Sequence, residues 1–289
     1  MAVEQGLTTV LEKAVAVDHV EQFGRSVKSF TDLIGAFEPL ALPVGATIKT
    51  YTSKVTLAGG KVAKGEIIPL SEVEVEPGQS YELEYDKRRK AVPAEDIQKY
   101  GFEAAIERTD QALLKELYKN IRTTLVTNLA DGTGAATGEG IQATLAQSWG
   151  KIQVAFEDDA VRTVAFINPL DVADYLAKAE ISTQTMFGMR YLENFLGVDV
   201  ILLSAQVPAG TLYMTAAENL NIAFADVRGE LQKAFDFTAD ASGYIGILHD
   251  IQHERLTAET VTLSGIVLYA ERLDGVVVGT ITAPEPAGD

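Results

Sequence analysis

Glu72-Val73-Glu74-Val75-Glu76-Pro77-Gly78-Gln79-Ser80-Tyr81-Glu82-Leu83-Glu84-Tyr85-Asp86-Lys87-Arg88-Arg89-Lys90-Ala91-Val92-Pro93 holds the transition on which the reading of this chain turns. Its first half alternates with period two, the mark of a strand. Val73, Val75, Tyr81, Leu83 and Tyr85 fall on one face, and Glu72, Glu74, Glu76, Glu82, Glu84 and Asp86 on the other. Pro77-Gly78 reads as a turn between two short strands. Like charges directly opposed cost some tenths of a kcal/mol per pair, and an isolated hairpin is at best marginal in water. The ribbon is built to be completed by something else. Its acidic face is either solvated or receives a basic segment of a neighbouring copy, such as Lys87-Arg88-Arg89-Lys90, the one dense basic run in the chain. Calcium is not expected there, because a flat ribbon cannot wrap an ion in six to eight oxygens.

Upstream, Lys54-Val55-Thr56-Leu57 leads into Gly59-Gly60, a turn signal, and Lys61-Val62 begins a return. Before that, residues 1–36 read as an amphipathic helix. Val10, Leu11, Ala14 and Val17, then Val20, Phe23, Val27, Phe30 and Ile34 recur at helical spacing, with Gly35 as the C-terminal cap. Downstream, Pro93 opens a helix with Glu95 and Asp96 at the positive end of its dipole and a stripe of Ile106, Leu113, Leu117, Ile121 and Leu125. Continuous to Leu129, it would be about 55 Å long, with a bend at Gly101.

Asp131 to Gly140, rich in glycine, reads as a flexible linker and a domain boundary. Beyond it come a helix near 141–157, a buried strand at 161–167, a helix at 170–179 and strands at 198–202 and 211–214. From about 222 onward the chain is mostly strand. The class is α+β.

Of 289 residues, 47% are hydrophobic and 22% charged, values of a chain with a core. The net charge of −17 repels DNA and excludes a nucleic-acid reader with a broad basic face. With no cysteine there is no disulfide framework, thiolate metal site or cysteine nucleophile. No stretch approaches the roughly 20 apolar residues of a membrane span, and the N-terminus lacks the basic and apolar regions of a signal peptide. A soluble protein made in the cytosol is expected.

Chemical motifs are sparse. The glycine run at 132–140 follows a helix, and Gly138-Glu139 stands where a phosphate-binding loop needs lysine. His249 and His253 are four apart, but Ile245, Ile247 and Ile251 alternate in step with them. On a strand the two imidazoles lie about 13 Å apart, too far to share a metal. His19 is expected to be a solvated helix residue. Neither Gly-x-Ser-x-Gly nor His-Glu-x-x-His occurs. No catalytic, cofactor or metal residues are assigned, and an enzyme is not expected.

Three segments, in order, carry a resemblance. They are Gly60-Lys61-Val62-Ala63-Lys64-Gly65-Glu66-Ile67-Ile68-Pro69-Leu70-Ser71, Ala94-Glu95-Asp96-Ile97-Gln98-Lys99-Tyr100-Gly101, and Ala165-Phe166-Ile167-Asn168-Pro169-Leu170-Asp171-Val172-Ala173-Asp174-Tyr175-Leu176. The chain resembles the major capsid proteins of tailed double-stranded DNA bacteriophages and related prophages. The resemblance implies an N-terminal arm (1–45), an extended β-hairpin loop (46–92), a spine helix with linker in a peripheral domain (93–140), an axial α/β domain (141–225), and return strands with a tail (226–289). It implies hexamers and pentamers closing into an icosahedral shell in the virion, assembled in the host bacterial cytoplasm. DNA is enclosed without sequence-specific binding, and no membrane is involved. A separate scaffolding protein, a portal and decoration proteins are the implied partners. Some members lock the shell by lysine–asparagine bonds, and Lys54, Lys61 and Lys64 lie on the corresponding loop. No asparagine or assisting glutamate can be matched, so plain electrostatic docking is expected.

Lys54, Lys61, Lys64, Glu66, Glu72, Glu74, Glu76, Glu82, Glu84, Lys87, Arg88, Arg89 and Lys90 are the expected subunit-contact residues. Reversing Lys87–Lys90 to glutamate is expected to impair assembly and leave the subunit folded. Two alternatives stand beside the phage reading: an encapsulin-type nanocompartment shell, and an enzyme with its site at a subunit interface.

Overall fold

The computed structural model describes residues 2–36, 38–56, 58–59, 62, 65, 67, 69–157, 161–178 and 183–283, with backbone alone for 2–15, 52–55, 174, 175 and 178. The chain runs α1 (Ala2–Ile34), β1 (Leu40–Ala41), β2 (Thr47–Thr56), β3 (Glu72–Glu82), β4 (Asp86–Pro93), α2 (Ala94–Tyr100) and α3 (Phe102–Ala130). Then come β5 (Gly134–Glu139), α4 (Gly140–Ala155), β6 (Thr163–Ile167), α5 (Pro169–Lys178), β7 (Gln184–Met186), β8 (Met189–Phe195) and β9 (Val198–Leu203). The last third holds β10 (Thr211–Ala216), β11 (Leu220–Phe224), α6 (Glu230–Phe235), β12 (Thr238–Ala239), β13 (Ile245–Gln252), β14 (Thr257–Ser264), β15 (Ile266–Ala270) and β16 (Val276–Thr282).

The largest layer is a mixed seven-stranded sheet in the order β5-β16-β10-β6-β9-β8-β7. Both its faces are covered, so its central strands read as largely apolar runs rather than alternating, with Thr163, Asp199 and Thr215 among the polar exceptions. All five residues of β6 are buried. Val164 and Phe166 point into a core shared with Val20, Phe23, Phe30 and Leu117 of α1 and α3. Ala165 and Ile167 point the other way, into a core with Leu145 and Ile152 of α4 and Val172 of α5. Asn168 caps α5 by accepting the Leu170 amide at 2.9 Å, and Pro169 follows in the first turn.

Several expectations change. The segment read as a flexible linker is β5, paired in parallel with β16 at the sheet edge. Its glycines serve close packing: a Cβ at Gly138 would sit 2.4 Å from the Thr144 amide nitrogen. The long helix is two, because Gly101 takes φ +86°, a conformation that ends α2 and starts α3. At 29 residues, α3 is about 43 Å long. Two hairpins went unforeseen, β7–β8 and β8–β9. Each is closed by two residues at positive φ, Phe187-Gly188 and Leu196-Gly197, the geometry of a tight primed turn. In α1 the buried face runs through Ala16, His19 and Val20, while Val17 is exposed. His19 is therefore a buried residue and not a solvated one: it lies three residues beyond Ala16 on the packed stripe.

As foreseen, Gly35 closes α1, at φ +66° with the Ala36 amide donating to the Thr31 carbonyl at 3.2 Å. The remaining strands form a four-stranded antiparallel sheet β12-β13-β14-β4, a three-stranded sheet β1-β11-β15, and the two-stranded ribbon β2-β3. α3 packs across β15 and β4, and α1 across β13. Among the described residues no helix is long and apolar enough to cross a membrane.

Candidate assembly surface

The ribbon pairs β2 with β3, antiparallel, from Thr47↔Glu82 to Thr56↔Glu72. The strand paired with β2 is 72–82, and the return expected to begin at Lys61 lies outside the described residues. Pro77-Gly78 is not a turn. The register shifts between Lys49↔Ser80 and Tyr51↔Pro77, so Gly78 and Gln79 together oppose Thr50 in a β-bulge. Thr50 donates its hydroxyl to the Gln79 carbonyl at 3.1 Å, and a Cβ on Gly78 would meet that hydroxyl at 2.5 Å.

One extra residue inverts the faces. Inward of the bulge, Ile48, Tyr81 and Leu83 turn toward the body, and Leu83 is fully buried. Outward of it, Glu72, Glu74 and Glu76 continue that same side. Val73, Val75, Pro77 and Tyr51 share the opposite side with Glu82. The single apolar face from Val73 to Tyr85 does not exist. Instead the outer ribbon has an apolar side and an acidic side, both open to solvent: Val73 is 58% exposed and Val75 54%. The connecting segment carries Ile67 at 93% and Leu70 at 96% exposure, nearly bare apolar side chains.

Among the expected contact residues, Glu72, Glu74, Glu76, Glu82, Glu84 and Lys87 are exposed. Lys54 stands opposite Glu74 in the backbone register. Lys61, Lys64 and Glu66 lie outside the described residues. Glu82, Glu84 and Asp86 rim a cavity of about 320 Å³ at the ribbon base, floored by Leu117, Ile121 and Ile266.

The basic run lies on β4, where three of its four side chains have partners within the chain. Arg88 Nε donates to Asp86 Oδ1 at 2.5 Å. Arg89 forks onto Glu259 at 2.8 and 2.6 Å. Those hydrogen bonds raise both arginines above their ordinary value and hold Glu259 below its own. Lys90 turns inward: its Nζ lies 2.8 Å from Asp110 Oδ1 and donates to the Ile106 carbonyl at 3.2 Å and to Thr109 Oγ1. The expectation that reversing all four leaves the subunit folded is therefore corrected, since a glutamate at 90 would be buried against Asp110.

Sequence reading missed Asp110. Lys90, Thr260 and His249 form one row across β4, β14 and β13, beneath α3. Asp110 descends from α3 between the outer two, and His249 Nε2 meets its Oδ2 at 2.9 Å. Burial pushes the Asp110 carboxyl up, but hydrogen bonds from His249 and Lys90, and the charge of Lys90, outweigh it and hold the group below the usual carboxylate range. Burial pulls Lys90 down against the favourable contact with Asp110. His253 lies past the end of β13 and is exposed, so the two histidines do not converge. Among the described residues no group of three or more acidic or histidine side chains is placed to hold a metal ion.

No protein-family model matches the chain, and no curated protein sequence does. Solved structures do. The capsid asymmetric unit of cyanophage A-1(L) matches with a TM-score of 0.55 over 86% of this chain and 92% of that one, at 13% identity. The holo-SrpI encapsulin complex from Synechococcus elongatus PCC 7942 matches with a TM-score of 0.55 over 89% and 91%, at 11% identity. The capsid of an empty GTA particle matches with a TM-score of 0.54 over 85% and 88%, at 11% identity. Identities this low speak for the fold alone. The fold is that of phage capsid and encapsulin shell proteins, as the three sequence segments led one to expect.

Proposed function

We propose that the chain is a structural shell subunit, the major capsid protein of a tailed-phage head or prophage. Hexamers and pentamers of it would close into an icosahedral shell around double-stranded DNA. The observation that carries this reading is the ribbon: eleven residues of β3 with ten exposed, an apolar and an acidic side both uncovered, and a bare apolar tip. Such a ribbon has too little of its own core to be the end state of a monomer. Combined with a shell-protein fold, it reads as the arm by which one subunit lies across another. The acidity of the chain supports an inner wall from which DNA is repelled during packaging. The role proposed is structural, without catalysis. Scaffolding, portal and decoration proteins are the proposed partners, and assembly is placed in the host cytoplasm.

A second reading, an encapsulin-type compartment, is favoured by the equally good match to the Synechococcus encapsulin. Electron microscopy of the purified chain, alone and with other head proteins, separates the two. Shells, tubes, or rings of five and six that need a scaffold and fill with DNA support the phage reading. Uniform closed cages from the chain alone, holding protein cargo, support the compartment. Isolated subunits under every condition would sink both.

A further inference from the structure

The geometry points to a binding site for a small amphiphilic monoanion, a carboxylate on an apolar acyl or aryl body, in the cavity between α6 and the four-stranded sheet. The site lies within one subunit and holds whether or not the chain builds a shell.

α3 covers the face of β12-β13-β14-β4 that carries Lys90, Thr260 and His249. On the opposite face Leu248, Val261 and Leu263 form a small separate core with Phe237. Lys87 is paired with Leu263 in the strand register and so shares that face. The cover here is slight. α6 is six residues long and buries none of them. It is entered at Gly229, φ +80°, and left at Asp236, φ +52°, and its Phe235 is 57% exposed. Between α6 and the sheet lies a cavity of about 360 Å³. Leu231 and Phe235 line it from the helix, and Leu248, Val261 and Leu263 from the sheet. Sites for small molecules fall in the range of about 300–1,000 Å³, apolar with a few polar groups that fix orientation.

Charge decides the class of ligand. Lys87 is the only charged residue that lines the cavity. Arg88 has Asp86 as its partner, Arg89 has Glu259 and Lys90 has Asp110. Lys87 makes no ion pair among the described residues, so the one unmatched cation of the basic run is the one beside these apolar walls. An apolar body entering the cavity releases water from Phe235, Phe237 and the sheet residues, while its carboxylate lies on the Lys87 amine. A neutral ligand leaves that amine unmatched. A dianion carries a charge with no counterpart here, on a chain whose net charge is already −17. A cation meets no acid among the lining residues.

The test titrates the full chain with monomeric sodium decanoate and follows displacement of anilinonaphthalene sulfonate, a fluorescent probe of the same class. One saturable site is expected, with decanol binding about tenfold more weakly and decyltrimethylammonium more weakly still. Lys87→Glu is expected to weaken decanoate about tenfold and leave decanol unchanged. Leu231→Trp, whose larger ring occupies the cavity, is expected to abolish both. Thermal melting verifies folding, and Lys87→Glu, at an exposed position, keeps the test decisive where Leu231→Trp does not fold. Equal affinity for decanoate and decanol would overturn the assignment of the anion. Binding of decanoate that is unchanged by Lys87→Glu would place the ligand elsewhere, as on the apolar side of the ribbon, and overturn the site. Absence of a saturable site in the wild type overturns the proposal and leaves the shell reading intact.

Discussion

β6 and β3 are both strands of one chain, and they have opposite fates. β6 is buried at all five positions, while β3 is exposed at ten of eleven. β6 lies between two helical layers supplied by its own chain, so its free energy is spent on the monomer. Among the described residues β3 has one neighbouring strand, and at its inner end Tyr81 alone packs against another layer, on Tyr269. Two strands of similar conformation thus have different surroundings, one closed on both faces by its own chain and one left open. What separates them is the completeness of their surroundings, which strand propensity does not encode.

The comparison can be broken from the buried side first. Phe166→Ala is expected to cost about 3–5 kcal/mol in denaturant unfolding, since the ring is enclosed by α1 and α3. Asp110→Ala is expected to cost a similar amount, about 3–5 kcal/mol, because it strands the buried Lys90 without its counter-charge. A glutamate at 90 alone should behave likewise, whereas Lys87→Glu should leave the melting temperature within a degree or two. Gly138→Ala is expected to cost about 1–3 kcal/mol, as the new methyl would meet the backbone of α4.

The pH dependence sharpens the same contrast. Asp110 has its folded pKa below 3.8, so its contribution is complete above that unfolded value and is lost as pH falls through the folded one. Melting temperatures of the wild type should fall in that acid window more steeply than those of Asp110→Asn. Equal slopes would remove Asp110 from the account. The smallest effect belongs to the ribbon: Val73→Ala with Val75→Ala should shift subunit stability by no more than about 0.5 kcal/mol. If that pair destabilised the isolated subunit like a core substitution, the contrast between the two strands would fail.

Much of the body was legible in sequence because its signals are local. The apolar run from Val164 to Ile167, the cap Asn168-Pro169 and the glycine closing α1 each lie within a few residues of what they specify. The Asp110–His249 contact was not legible, since it joins residues 139 apart and neither is unusual in its own segment. The glycines of β5 were misread because sequence does not distinguish a glycine chosen for mobility from one chosen for close approach. Phe187-Gly188 and Leu196-Gly197 did carry a usable sign, an X-Gly pair between short apolar alternations. Of the candidate surface, the acidic residues and their exposure were readable. Which face they share was not, because a bulge leaves the alternation intact on either side of itself.

That bulge works as a phase shifter. Inward of Gly78 the ribbon's sequence is answerable to the core through Tyr81 and Leu83, and outward of it to whatever the ribbon meets. With the phase reset between them, the outer segment can exchange its acidic and apolar rows without altering what is anchored at the base. Removing Gly78 would rotate the outer segment by half a turn, presenting valines where glutamates stood, with every other residue of the chain unchanged.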